Sequence, residues 1–485
     1  MKLFLLIFGM LTMTTSMQTY AIETSSILQK TLSHYAPKES NKRLFFNYTS
    51  TVSRLYHSPK PYDKYINTSF GRFEIEGKIF KKHDSIFADN KYYSNDYFYD
   101  EQDVLTKSPS DSLFLPQSET ALKEQIIQLS FYSPIPILRY ALKNQDEVTL
   151  ESTKHTAKFE IEINEYTLTI FVNKDKLLVD SVQMLYYDSF YGNINNVIYY
   201  THSSKETIHY PSLVLHSKMN GKIFDTLQTS FLGYNVFTKL DPQRPKDFSY
   251  LSSQKTIVTL FDTVLSPTIR TLQFREEKIQ SYLLEFSTFL VVLEAPLSSE
   301  IGEKIVQFAK KTYPKKPIKY VCYSHHHPHY TGGLRPLVHN GTTIITKSEN
   351  KMFLENLLAN SHSLNPDSLE FSKKKPLFIP YDSSYTITDG IDSLQLYHIG
   401  IRSNHTFDYT LFYKPKEKVL FVGDLVWITN DQIVKKAGKG QKAVFDVINE
   451  KAIPVETIYQ AWPIMSPKYK TIIPFSELKA SAEMK

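Results

Sequence analysis

Between Ser324 and Gly333 the chain reads SHHHPHYTGG, four imidazoles within five positions, directly after the mainly apolar run 318–323. Side chains alternate along a strand that ends in a loop, so His325 and His327 point to one side and His326 to the other. Imidazole nitrogens suit zinc, and neutral ligands need no buried counter-charge. The alternative is a solvated loop that happens to be rich in histidine. Further ligand-type residues recur downstream in matching contexts and favour the metal reading.

The order of the surrounding segments resembles the metallo-β-lactamase superfamily. Where that family has H-x-H-x-D-H followed by Gly-Gly and a helix, this chain has His325, His326, His327, Pro328, His329, Tyr330, Thr331, Gly332 and Gly333. The first two ligands match, and the next two positions carry His329 and Tyr330. YHIGIRSNHT resembles the family segment that supplies a third His, which maps onto His405. Two strand-like runs follow, 409–413 and 418–422 with a turn at 414–417, and then FVGDLVW, similar to the metal-bridging Asp loop, with Asp424. LVVLEAPLSSE resembles the strand and loop that read V-D-A-P, with Glu294 in place of Asp. The family's last His falls within TIIPFSE, where Phe475 and Ser476 stand instead. The resemblance covers about residues 256–477.

It implies one zinc on His325, His327 and His405, with a fourth position for water. That arrangement suits an exported zinc-dependent hydrolase of an ester-like, thioester or amide bond, acting on a small-molecule substrate. For a second zinc only Asp424 keeps the family's residue, and His329 is the candidate substitute ligand or hydrogen-bonding partner. Asp424, beside the metal, and His329, which as a neutral ring could accept a proton, are also the candidate catalytic groups. Tyr330 is read as an oxyanion donor or as a packing aromatic. The rival reading is a non-catalytic binding protein on a degenerate scaffold of this family. Cys322, the only cysteine, lies in the strand leading to the cluster and reads as a small buried hydrophobe, because no Cys-His-Asn order accompanies it.

The elements that must position these residues divide into two domains, as 485 residues exceed one ordinary core. The net charge of +6 is a small excess over 56 basic and 50 acidic residues, without a Lys/Arg block, which leaves nucleic-acid binding unsupported. Residues 1–21 place Lys2 before the apolar run 3–13 and read as a secretory signal peptide, hence periplasmic or secreted export. No later segment reaches ~20 apolar residues, so no transmembrane anchor is expected, and a single cysteine excludes an internal disulfide. The oligomeric state is left open.

The high aromatic content, 33 Tyr and 31 Phe, favours strands in a β-rich N-terminal domain at 22–250. A helix is expected over 22–36, and another over 118–143 interrupted by Pro134 and Pro136. FEIEGKIF at 73–80 alternates in part like one strand, within an otherwise unassignable stretch 60–118. Strands from about 157 to 232, with a hairpin at Asn220-Gly221, suggest an antiparallel meander. This pattern is similar to a lipoprotein-carrier type of open β-barrel with a helix; a sheet closed by ordinary packing is the alternative. Pro242 and Pro245 mark a linker at about 241–254. In the domain at 255–485, Ser299 begins a helix that Pro314 ends, and Ser348 caps another. Taken with the resemblance, the expected class is α+β, a four-layer αββα sandwich preceded by the β-rich domain.

Overall fold

The computed structural model describes residues 22–36, 43–54, 57–61, 65–76, 79–88, 91–99, 104–107, 115–116, 119–205, 207–218, 222–235, 257–431 and 433–484. The expected signal peptide, the Asn220-Gly221 turn and the linker at 241–254 lie outside them. Among the described residues no helix is long and apolar enough to cross a membrane. Two compact units are present: Met1–Arg54, Ile66–Tyr187 and Ile194–Gln254 in the first, and Leu55–Tyr65, Asp188–Asn193 and Lys255–Lys485 in the second. The second unit thus includes two short pieces of the N-terminal half.

The first unit is built on one thirteen-stranded sheet. Its sequence signal is clearest in Thr156–Ile163, where Ala157, Phe159, Ile161 and Ile163 are buried and the intervening residues are more exposed. Helices at 22–35, Glu119–Ser130 and Ile135–Lys143 add Leu28, Ile126, Leu129, Ile137 and Leu138 to the same core. Each such fully buried aliphatic side chain contributes about 1.5–3 kcal/mol through desolvation. Pro134 stands at the N-cap of the last helix, and Pro136 falls in its first turn, where the missing N–H breaks no helical bond.

The unassigned stretch 60–118 supplies five strands to this sheet. FEIEGKIF is not one strand but parts of two, Tyr65–Glu76 and Ile79–Ala88, paired antiparallel with Glu76 opposite Ile79. The period is obscured because charged groups face inward: Lys82 Nζ lies 2.7 Å from Asp84 and donates to the Tyr132 hydroxyl at 3.1 Å. Burial lowers Lys82 to about 7 and raises Asp84 to about 7.

The second unit contains a seven-stranded and a six-stranded sheet with helices. In the first sheet four antiparallel strands from Leu260–Ser266 to Leu290–Leu293 continue into the parallel strands Ile318–Cys322, Thr343–Lys347 and Leu377–Tyr381. In the second, Ser384–Thr388, Ser393–His398, Thr410–Lys414 and Val419–Val422 are antiparallel neighbours, Thr457–Gln460 runs parallel to Val419–Val422, and Ile472–Pro474 closes the edge. Leu290–Leu293 and Val419–Val422 are buried at every residue, as strands covered on both faces must be. The sheets meet at Tyr282, whose ring packs edge-on against Phe421 at 4.8 Å.

The expected helix from Ser299 spans Ser299–Thr312, and its N-cap is Ser298, which accepts from the Ile301 N–H. Ser348 does not cap the next helix. It opens a 3₁₀ turn, Ser348–Asn350, and Asn350 stands at the N-cap of Lys351–Ala359 without a capping side-chain bond. Its amide is used elsewhere, as a donor to Asp408 and to the Tyr323 hydroxyl.

Candidate metal centre

The strand Ile318–Cys322 ends in a loop that delivers the histidines, and the short helix Pro328–Thr331 begins at once. Thr331 turns its hydroxyl back to the carbonyls of His326 and His327, both at 3.0 Å, which closes the loop on itself. His326 faces away from its neighbours: its N–H and Nδ1 both meet the carboxylate of Asp408, at 2.8 and 3.0 Å. Burial alone would raise Asp408, but these bonds and the His326 charge hold it below the usual carboxylate range.

His325 and His327 converge as the alternation predicts, with His325 Nε2 3.0 Å from His327 Nδ1. His405, carried just beyond the 3₁₀ turn Gly400–Ser403, brings its Nε2 to 3.2 Å from His325 Nε2. Zinc–nitrogen bonds of about 2.0–2.1 Å in a tetrahedron put neighbouring nitrogens about 3.3 Å apart. The three imidazoles therefore fit one tetrahedral cation.

The outer nitrogens of His325 and His327 are engaged as well. His327 Nε2 lies 3.1 Å from the Ser58 carbonyl, which can only accept, so Nε2 carries the proton and Nδ1 presents its lone pair inward. His325 Nδ1 meets Ser324 Oγ at 3.1 Å, which leaves Nε2 for the centre. Burial, then neighbouring imidazoles, hold His325 and His327 well below the ordinary histidine range, as neutral ligands require.

Asp424 enters from the loop after Val419–Val422. Its Oδ2 is 3.5 Å from His405 Nε2, 4.0 Å from His325 Nε2 and 3.9 Å from His329 Nε2. Three overlapping groups of ligand atoms result, each within 4.8 Å: His325, His327 and His405; His325, His329 and Asp424; and His57, His327 and His329. His329 is lowered to about 3, by burial first and then by His57. Asp424 is raised, chiefly by burial.

Tyr330 is fully buried against His325, its ring centroid 4.5 Å away, and burial followed by the Asp424 charge pushes its phenol well up. Cys322 is also fully buried, and its thiol is raised by burial and then by Glu294. Glu294 adopts a left-handed backbone, φ 65°, and its Oε2 accepts from the Ser324 N–H at 3.0 Å. Burial raises it to about 8.

A cavity of about 690 Å³ opens onto His329, His405 and Asp424. Ile279, Leu297, Leu425, Trp427 and Trp462 make its wall largely apolar, with Glu277 also on its lining.

Several participants escaped sequence reasoning. His57 and Ser58 lie in an aperiodic segment far upstream, and no local signal marks them. Asp408 and Tyr409 stood in plain view three and four positions after His405, but their role depends on the loops they meet. Ser476 falls in the helix Phe475–Glu483 and is not part of any of the three groups.

Residues 278–461 match the family model described as the metallo-beta-lactamase superfamily. A metallo-beta-lactamase from Pontibacter korlensis is 18% identical, over 46% of this chain and 97% of its own, with a TM-score of 0.34. The metallo-beta-lactamase FIM-1 from Pseudomonas aeruginosa, in a mono-zinc form, is 16% identical over 47% and 94%, with a TM-score of 0.35. A rubredoxin oxygen:oxidoreductase from Desulfovibrio gigas is 14% identical over 46% and 61%, with a TM-score of 0.34. No curated protein matches the chain. The C-terminal domain of this chain, through residues 278–461, belongs to the metallo-β-lactamase superfamily.

Proposed function

We propose that the protein is an exported metal-dependent hydrolase that cleaves an ester-like, thioester or amide bond of a small molecule with water. The observation that carries this reading is the convergence of His325 Nε2, His327 Nδ1 and His405 Nε2 at 3.0 and 3.2 Å, beside a cavity large enough for such a substrate. Zinc held by those nitrogens would lower the pKa of a bound water to about 7 and polarise a carbonyl.

The chain's own groups do the rest. The Tyr409 hydroxyl fixes Asp424 Oδ1 and leaves Oδ2 facing the imidazoles. From there Oδ2 takes the proton of the attacking water and returns it to the leaving group. His329 Nε2, 3.9 Å from Oδ2, lines the same cavity. The apolar wall binds the non-reacting part of the substrate and displaces water from it. Export rests on the pattern of residues 1–21.

The rival reading, a non-catalytic binding protein, draws on Tyr330 and Ser476 at positions where the family carries ligands. The two are separated by a panel of esters, thioesters, lactones and lactams tested with purified protein and with His327→Ala. Turnover and about one or more zinc per chain, both lost in the variant, are the expected result. A protein that takes up no zinc, or cleavage that survives His327→Ala, would overturn the hydrolase.

A further inference from the structure

The chain has two tryptophans, Trp427 and Trp462, and both line the cavity that opens onto His329, His405 and Asp424. Their rings stand nearly at right angles, at 84°, with centroids 5.7 Å apart. Glu277 lines the same cavity. We propose that the small molecule bound here carries an ammonium group, which the two indole faces and the Glu277 carboxylate recognise while the rest of the molecule extends toward the imidazoles. The inference deepens the proposed function and rests on it only in taking this cavity as the substrate's.

Three observations support it. First, the aromatic corner is fastened to the loop that carries Asp424. Trp427 follows that residue by three positions, and its N–H donates to Gln441 Oε1 at 3.1 Å. The Trp462 N–H donates to the carbonyl of Gly423, also at 3.1 Å. The Tyr469 ring meets Trp427 edge-on at 5.0 Å, whereas Trp462 is 38% exposed and open to a ligand. Rings held in this way lose little entropy when a ligand docks on them.

Second, the turn at 275–278, between Ile269–Phe274 and Ile279–Glu285, commits its other residues elsewhere. The Arg275 guanidinium lies over the Phe261 ring at 4.1 Å, and Glu276 accepts the Thr259 N–H at 3.2 Å. Glu277, exposed, is the acidic group that this turn brings to the cavity. The same turn is joined to the loop of Trp462, because the Ile464 N–H donates to the Lys278 carbonyl at 2.8 Å and the Gln280 N–H to the Ala461 carbonyl at 3.0 Å. The carboxylate and the indole therefore sit on adjoining, hydrogen-bonded loops.

Third, the charges on the cavity wall favour a cation. Among the described residues no Lys or Arg lines it, while Glu277 and Asp424 both do. The face of an indole carries the negative part of the ring quadrupole and is the strongest aromatic partner for an ammonium ion. A carboxylate on the ligand would find no cationic side chain in the same place.

The test uses the tryptophan emission of the full chain, which arises from these two residues alone. Choline is titrated at constant ionic strength against its neutral isostere, 3,3-dimethylbutanol. Choline is expected to change the emission saturably and to bind at least about fivefold more tightly than the isostere, the factor that cation–π contacts supply. Glu277→Gln, an exposed change expected to leave the circular dichroism spectrum unaltered, weakens choline by about two- to fivefold and leaves the isostere unaffected. No saturable response to choline, equal affinity for the two compounds, or unchanged choline affinity in Glu277→Gln would overturn the inference. The readout needs no turnover, so a panel of esters and amides left uncleaved while choline selectivity persists would remove the hydrolase alone.

Discussion

The hydroxyl of Tyr409 donates to Asp424 Oδ1 at 3.1 Å and accepts the backbone N–H groups of Gly423 and Asp424, both at 3.0 Å. One buried oxygen thus fixes both the loop and the carboxylate it carries. Gly423 is required for this closeness, since a Cβ there would stand 2.8 Å from the Tyr409 hydroxyl and 2.5 Å from Ser324 Oγ. Tyr409→Phe leaves two N–H groups and a carboxylate oxygen without that partner. Stability is expected to fall by about 3 kcal/mol, and zinc affinity by about 10–100-fold, as for other losses of outer partners in metal sites. Chemical denaturation and zinc titration of the variant read the two effects, and unchanged zinc affinity would remove Tyr409 from the site.

Gly332 is expected to tolerate no side chain. A Cβ at this position would lie 2.2 Å from the Leu297 carbonyl oxygen, an overlap with backbone that no rotamer relieves. Gly332→Ala must therefore push apart the loop after Leu290–Leu293 and the turn that ends the histidine cluster. We expect at least 2 kcal/mol of destabilisation, or about the upper range for overpacking. A thermal unfolding midpoint equal to that of the unaltered protein would contradict the packing described.

Arg335 grips Asp367 with two bonds, Nε to Oδ2 at 2.6 Å and Nη2 to Oδ1 at 3.0 Å. Asp367 also accepts from Ser299 Oγ and caps the helix Ser368–Ser372 through the Glu370 N–H. Burial alone would raise this carboxylate, yet these donors lower it to about 2. Removing the guanidinium in Arg335→Ala strands a buried charge, with an expected loss of about 3–5 kcal/mol. Arg335→Lys should recover only part of it, because an ammonium cannot make the paired contact. Denaturant midpoints of the two variants provide the comparison, and equal midpoints would refute the role given to the paired bond.

The first unit should weaken in mild acid through His202. Tyr35 accepts the Val179 N–H at 2.8 Å, so its hydroxyl proton points to His202 Nε2, also at 2.8 Å, and this geometry requires a neutral ring. Burial, then His209 and Lys176, lower His202 to about 4. The unfolded chain binds the proton near pH 6.5, so stability falls as pH drops from there to about 4, at up to about 1 kcal/mol per unit after allowance for partial exposure. His202→Gln should flatten that part of the stability profile. An unchanged slope in the variant would exclude this ring as the source.

What could be read from the sequence followed regular geometry. His325, His327 and His326 behave as alternation along a strand end requires, and the runs before Gly423 are the strands Thr410–Lys414 and Val419–Val422. Glu294 in place of Asp keeps a carboxylate at the same junction, bonded to Ser324. Legibility ended where a side chain's job is set by a distant partner. Lys82 and Asp84 hide a strand by facing inward, Asn350 spends its amide on Asp408 rather than on its own helix, and His57 meets the cluster across some 270 positions.

The bond from the His327 ring to the Ser58 carbonyl has a practical corollary. A recombinant fragment cut at the boundary of the matched residues would discard the acceptor that orients this imidazole, together with the histidine beside it. Such a fragment could fold and still bind zinc feebly, so a negative assay on the isolated domain would say nothing about the intact protein.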